Sequence, residues 1–217
     1  SVFTVPLSTE STLNINLKIT VPVSAIIPCH NSVNTLERAV ESVIQQTVRP
    51  AELLLIEDGS TDTTVECMYE LQKKYGSDWI QIYELEENMG VSIARNTGWS
   101  HATQKYVAFL DSDDAWHKEK IKIQYSVMEK HPNFIMSGHH YRVAKNTFFD
   151  DDLLNNYKIE EYSFMRQLFK NYFVTPSIMI RRECRIKYQS RKSHMEDHLF
   201  LLELAYEYGP ALKIDLP

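Results

Sequence analysis

Three aspartates fall within four positions in the run Asp111-Ser112-Asp113-Asp114. Carboxylates this close repel one another, so a folded chain needs something to offset them. A divalent cation does so. Hard cations take oxygen ligands, and Mg2+ typically uses one or two carboxylates together with substrate phosphates. An acidic turn that caps a helix is the structural alternative, and the four residues alone fit either. Two further clusters carry ligand-capable groups. Glu57-Asp58-Gly59-Ser60 offers two carboxylates and a turn, and Pro28-Cys29-His30-Asn31 offers an imidazole and an amide.

Each cluster directly follows an apolar run: Val21 to Ile27, Leu53 to Ile56, and Tyr106 to Leu110. Runs of this kind fit strands buried on both faces, as in a parallel sheet. Open α/β sheets take their ligands at the carboxyl ends of such strands. Three polar clusters at three strand ends therefore point to one ligand site. Helical spacing separates the strands. Leu36, Val40, Val43 and Ile44 mark one helix, with Asn31 or Ser32 expected as its cap. Val65, Met68, Leu71 and Tyr75 mark the next, and Gly76 is placed to end it. Trp79 to Tyr83 reads as a strand, Asn88-Met89-Gly90 as a turn, and Val91 to Ser100 as a helix carrying Arg95 and Asn96. This alternation predicts an α/β fold with a mostly parallel sheet flanked by helices.

Beyond Asp114 the pattern is looser. A helix is expected over Lys118 to Lys130, buried through Ile121, Tyr125 and Met128 and stopped by Pro132. Strands are expected at Phe134 to Met136, Ser177 to Ile180 and Leu212 to Ile214. Helices are expected over Glu160 to Lys170 and, after His194 to His198, through Tyr208. His139, His140 and Asp150 to Asp152 read as loop residues. His139, His140, His194 and His198 show no metal-ligand spacing and read as solvated. The basic residues Arg181, Arg182, Arg185, Lys187, Arg191 and Lys192 read as a solvated surface, with contact to anionic lipid or a lipid diphosphate as the second reading.

Several function classes lose support. Neither G-x-G-x-x-G nor G-x-x-x-x-G-K-[ST] occurs, so a phosphate group would be met by a metal and by Arg95 rather than by a glycine-rich loop. The net charge of −6 argues against nucleic-acid binding. Cys29, Cys67 and Cys184 are odd in number and far apart, which fits a reducing cytoplasm better than a disulfide framework. Cys29 reads as a small buried residue rather than a nucleophile. No apolar run is long enough to span a bilayer, so membrane contact is expected to be peripheral, at the inner face.

The chain resembles the family-2 glycosyltransferases of the GT-A fold. The resemblance is carried by Val23 to Asn31, Ser42 to Thr47, Leu55 to Asp62, Asn88 to Gly98, Phe109 to Asp114, and Met195-Glu196-Asp197. It implies an inverting transfer of sugar from a nucleotide-sugar, typically a UDP-sugar, to a hydroxyl of a saccharide or lipid-linked acceptor in cell-surface polysaccharide or glycolipid synthesis. It also implies Mn2+ or Mg2+ as cofactor. Pro28, His30, Asn31, Asp58, Arg95, Asp111 and Ser112 would border the nucleotide-sugar, with Asp58 at the base. Asp113, with Asp111, would hold the metal. Asp197 would be the general base and Glu196 would lie on the acceptor side. His30 stands where many members carry Tyr or Phe, which weakens stacking. The implied organisation is an N-terminal extension over 1–20 and a GT-A domain over 21–217. Residues 21–116 would be the nucleotide half and 117–217 the acceptor half. Members often carry a later His or loop that completes the metal–diphosphate site. None is present by Pro217, which leaves a truncated C-terminus open.

Two other classes stay open. A nucleotidyltransferase would also use a nucleotide and an aspartate-bound metal, but should carry a basic, glycine-rich loop where this chain has Pro28-Cys29-His30-Asn31. A non-catalytic nucleotide-sugar-binding domain of a larger synthase is the non-enzyme alternative. For Asp197, an acidic residue favoured at a helix N-terminus is the structural alternative to a base.

Overall fold

The structure is a computed structural model that describes residues 19–140, 157–169, 173–189 and 196–215. The expected extension over 1–20 therefore lies almost wholly outside the described residues, as do Asp150 to Asp152, Arg191, Lys192 and His194.

Eight strands form one sheet in the order β3-β2-β1-β4-β7-β5-β8-β6. They are β1 (Thr20–Cys29), β2 (Arg49–Glu57), β3 (Ile80–Glu84), β4 (Tyr106–Phe109), β5 (Met136–His139), β6 (Lys158–Tyr162), β7 (Met179–Arg181) and β8 (Ala211–Asp215). The helices are α1 (Leu36–Ile44), α2 (Thr64–Tyr75), α3 (Val91–His101), α4 (Lys120–Lys130), α5 (Phe164–Phe169) and α6 (Glu196–Tyr208). From β3 to β4 every pairing is parallel. β7 then runs antiparallel to both β4 and β5, so β5 points the same way as β4. β8 pairs parallel to β5, and β6 closes the edge antiparallel to β8.

The strand period of two divides the core. Val23, Ala25, Ile27 and Cys29 of β1 face α1, α2 and α4, together with Leu53, Leu55, Val40 and Met68. Ile26, Leu54, Ile56, Val107 and Phe109 face the other way, against Ala94 and Trp99 of α3 and Phe200 and Leu204 of α6. Both faces are covered, as the uninterrupted apolar runs required. Helix α3 lies close on the sheet at Gly98, where a Cβ would fall 2.4 Å from Ile26 Cγ2.

Four expectations need correction. Lys158 to Tyr162 is a strand, and the helix is confined to α5. Ser163 divides the two, its carbonyl taking the Gln167 N–H at 3.1 Å. Pairing with β8 overrides the helical preference of Glu160 and Glu161. β5 begins at Met136 because Phe134 closes a turn on His131 instead, and this places His139 at a strand end rather than in a loop. Arg181 is not surface: it is 8% exposed and donates to the carbonyls of Phe134 and Met128 and the hydroxyl of Tyr106. Neither Asn31 nor Ser32 caps α1, whose N-cap is Thr35 with no side-chain capping bond.

Candidate functional site

The three clusters meet at one edge of the sheet. Cys29 pairs with Glu57, so β1 and β2 end level, and β4 ends on the same side at Phe109, opposite Ile26 and three residues short of that level. Pro28 is buried at the end of β1, and His30 and Asn31 are exposed just beyond it.

His30 is held on two sides. Its Nδ1 lies 2.7 Å from the Asp58 carbonyl oxygen, which can only accept, so Nδ1 carries the hydrogen. Nε2 then accepts from the Asn88 amide at 3.0 Å and the Asn31 amide at 3.1 Å. Asn31 has a positive φ of 48°, tolerable for asparagine. Its Oδ1 accepts from the Thr61 N–H at 2.8 Å and the Asp62 N–H at 3.3 Å, tying the β1 loop to the β2 loop. The Asp62 carboxyl is held below its ordinary value, first by the Thr64 hydroxyl that donates to it.

Asp58 is 3% exposed and its carboxylate already has partners. Met89 N–H donates to Oδ1 at 2.6 Å and Gly90 N–H to Oδ2 at 3.0 Å. These amides open α3, where a negative charge is favoured. Each oxygen keeps a second lone pair, so a further donor can still be met. Glu57 likewise accepts from the Gly59 and Ser60 N–H groups. Gly59 has φ of 64°, and a Cβ there would lie 2.3 Å from Asn88 N, so the β2 loop and the 87–88 turn are in backbone contact.

Arg95 joins this edge to α6. Its side chain is 5% exposed. One terminal nitrogen donates to Asp111 Oδ1 at 2.7 Å and the other to Asp197 Oδ1 at 2.8 Å. Burial opposes its charge, but Asp111, Tyr188 and Asp197 outweigh burial and raise its pKa above the ordinary value. Arg95 was expected at a phosphate; instead both terminal nitrogens are committed to carboxylates. The Asp111 and Asp197 side chains stay 30% and 39% exposed. Beside them Ser92 Oγ donates to Glu196. Tyr188 supports the arrangement from below. Its backbone exchanges hydrogen bonds with the Asn96 amide at 2.7 and 3.0 Å, and its ring stacks on Phe200 at 4.0 Å.

Ser112 is half-buried, and Asp113 and Asp114 are exposed. Burial raises the Asp114 carboxyl above its ordinary value, and Asp111 and Asp113 add to this, against Arg38. Arg38 donates to the Asp113 carbonyl oxygen, not to a carboxylate. The acidic cluster is therefore only partly neutralised. Among the described residues no three His, Cys, Asp or Glu side chains form a ready-made metal cage. One or two carboxylates completed by a bound diphosphate is the donor set that Mg2+ ordinarily takes.

The sequence reading missed Arg38 and Tyr188, and it quoted Ser92 within a motif without giving it a role. Asn88 and Asn96 lay within quoted motifs but had no role. Cys29 is buried as expected, and burial pushes its thiol pKa up. His198 is half-buried rather than fully solvated, and its Nε2–H donates to the Gln167 carbonyl at 2.7 Å.

A model of the family described as "Glycosyl transferase family 2" matches residues 24–188, most of the chain. The chain belongs to glycosyltransferase family 2. An uncharacterized glycosyltransferase of Rickettsia felis is 45% identical over 120 residues, 55% of this chain and 19% of that protein. The Escherichia coli protein named UDP-Glc:alpha-D-GlcNAc-diphosphoundecaprenol beta-1,3-glucosyltransferase WfgD is 34% identical over 125 residues, 58% of this chain and 48% of that one. The chain thus spans less than half of either relative. Among solved structures, S. aureus TarS in complex with UDP matches with a TM-score of 0.71 at 20% identity, covering 89% of this chain and 60% of that one. That likeness bears on the fold and agrees with the predicted GT-A architecture. No helix among the described residues is long and apolar enough to cross a membrane.

Proposed function

We propose that this chain is the catalytic core of a metal-dependent, inverting glycosyltransferase that moves a sugar from a UDP-sugar to an acceptor hydroxyl in cell-surface polysaccharide or glycolipid synthesis. The observation that carries this reading is the Arg95 clamp, which fixes Asp111 and Asp197 on one guanidinium. A carboxylate at the carboxyl edge of the sheet and a second one in the first turn of α6 are the two acidic functions such a transfer requires. Names of related proteins that include UDP support the choice of donor.

Pro28, His30, Asn31 and Asp58 border the nucleotide in this reading. His30 presents an imidazole whose two nitrogens are already engaged, so its contribution is a ring face and not a new hydrogen bond. Asp111 and Ser112 face the ribose and diphosphate side, and Asp113, with Asp111, holds Mn2+ or Mg2+. The under-neutralised acidic cluster fits that ion. When bound, the cation offsets charge on the leaving diphosphate as a Lewis acid. Asp197 is fixed through Oδ1 by Arg95, which leaves Oδ2 to take the acceptor proton. With the base on one side and the leaving group on the other, a single displacement inverts the sugar and needs no enzyme nucleophile. Glu196, next to the base, faces the acceptor. Residues 21–116 then serve the donor and 117–217 the acceptor.

The test is a screen of nucleotide-sugars for Mn2+-dependent transfer, with UDP binding read separately by thermal shift. UDP with Mn2+ is expected to raise the melting temperature of the wild type and of Asp197→Asn, but not of Asp113→Ala. Transfer should be lost in both variants. No shift with any nucleoside diphosphate and metal would overturn the donor site, and full transfer by Asp197→Asn would remove it as base.

A further inference from the structure

Lys120 opens α4 with only 2% of its surface exposed. An ammonium group has three N–H donors. One finds Gln124 Oε1, and the group also lies 4.6 Å from the centre of the Trp116 ring. Gln124 cannot adjust to serve it further. It is fully buried, and its amide donates to the carbonyl oxygens of Ser177 at 2.9 Å and Ser137 at 3.3 Å. No carboxylate among the described residues pairs with Lys120, whose charge is opposed by burial alone. A buried ammonium without counter-charge is costly, and the cost shows as a pKa lowered by burial.

A second unsatisfied group lies close by. His139, at the end of β5, feels the charge of Lys120 and of His117 and His140. Its Nδ1–H donates to the His140 carbonyl, which makes Nε2 an acceptor. That nitrogen is buried and has no partner among the described residues. So a positive group with spare donors and a neutral acceptor with none stand together. Because β4 and β5 run in the same direction, His139 lies toward the edge that carries Asp111 to Asp114, and Lys120 opens the helix that follows that acidic loop. Trp116, against which Lys120 packs, is two residues beyond Asp114.

We infer that Lys120 and His139 form an acceptor-side subsite for an acidic sugar, with Lys120 taking the anionic group and His139 Nε2 accepting from a neighbouring hydroxyl. This rests on the reading of the chain as a glycosyltransferase and goes further by naming the acceptor's charge. The anion is a carboxylate or a phosphate, which offer Lys120 the same oxygen chemistry. A neutral sugar leaves the buried ammonium unpaired and is discriminated against for that reason.

The experiment is calorimetric titration of the full chain, saturated with UDP and Mn2+, by D-glucuronate, D-glucose 1-phosphate and D-glucose. At about pH 6, at least one acid is expected to bind about tenfold or more tighter than glucose. Which acid does so identifies the anion's source. Burial pushes the Lys120 amine down to about 7, so it is charged below that value and neutral above it. The preference should therefore fade as pH rises to about 9, while His139, which burial pushes down to about 3, stays neutral throughout. Lys120→Met should lose the preference, and Lys120→Arg should keep it without the pH dependence. Should Lys120→Met fail to fold, the wild-type pH profile and Lys120→Arg decide. Equal binding of acids and glucose, or a preference independent of both pH and residue 120, would overturn the subsite. The UDP shift is read separately. Its loss with the acid preference intact would overturn the donor site and leave this one standing.

Discussion

Replacing Arg95 by methionine removes a cation that holds two site carboxylates while keeping much of the buried stem's volume. Each charge-assisted bond, at 2.7 and 2.8 Å, has a net worth of about 1.5–3 kcal/mol. The carboxylate oxygens left behind were on two arms of one guanidinium. At about 5 Å and an effective dielectric of about 20 they repel by ~3 kcal/mol. Two effects reduce the sum. The variant no longer desolvates a guanidinium, and Asp111 and Asp197 are 30% and 39% exposed, so water screens them. A net loss of about 2–4 kcal/mol remains, or roughly 5–15 °C in melting temperature for a chain of this size. Thermal unfolding by circular dichroism reads it directly. A second reading separates the clamp from simple packing: Mn2+ should stabilise the variant more than the wild type, because the freed carboxylates attract a cation. An unchanged melting temperature together with unchanged transfer would refute the clamp.

Three further outcomes follow from the same geometry. Gly59→Ala puts a Cβ 2.3 Å from Asn88 N at a φ of 64°; left-handed strain of about 1–2 kcal/mol and overpacking of about 1–3 kcal/mol should lower stability and weaken UDP binding together, and a neutral effect would show that the two loops are not packed as described. Asp58→Asn turns an amide N–H2 toward one of the α3 amides and should cost about 1–3 kcal/mol in urea unfolding, whereas an unchanged midpoint would mean that the Met89 and Gly90 bonds carry no stability. Asp114→Asn should stabilise the metal-free protein at neutral pH. The raised pKa of Asp114 means that its ionised form is disfavoured on folding, so the gain should vanish below the ordinary aspartate range, where the group is protonated folded or unfolded, and a variant less stable than wild type in chelator would contradict this.

The first half of the fold was legible because β1, β2 and β4 are buried on both faces. Such a strand must be apolar throughout, as Leu53 to Ile56 is, with Leu53 and Leu55 on one face and Leu54 and Ile56 on the other. The second half includes an edge strand, where burial no longer writes the pattern. Every residue of β6 is at least partly exposed, so Glu160 and Glu161 advertise a helix that the β8 ladder overrides. Arg181 was misread for a related reason: charge suggests surface, yet the carbonyls and hydroxyl that offset its burial come from residues 47 to 75 positions away. The site divides in the same way. His30, Asn31, Asp58 and Asp111 announce themselves by following apolar runs. The partnership of Arg95 with Asp197 spans 102 positions and leaves no local trace. Lys120 looks like an ordinary helix-end lysine until Gln124, four residues on, is seen buried beneath it.

Within the site, order and charge are distributed unevenly. The loops after β1 and β2 have met their polar groups among themselves: Asn31 with Thr61 and Asp62, Glu57 with Gly59 and Ser60, His30 with Asp58 and Asn88. A nucleotide arriving there needs to order little, which lowers the entropic cost of binding. The loop after β4 is the opposite case: Asp111 is ion-paired with Arg95, but Arg38 only partly offsets the charge at Asp114. Binding there should depend on what the ligand brings. Helix α3 connects the two. Its first amides are held by Asp58, and Gly98 lets it lie against Ile26 and Ile56. Between those fixed points it carries Arg95 to Asp111 and Asp197. A disturbance of Asp58 should therefore reach the proposed base on α6 through one helix, without any change in the residues that touch the acceptor.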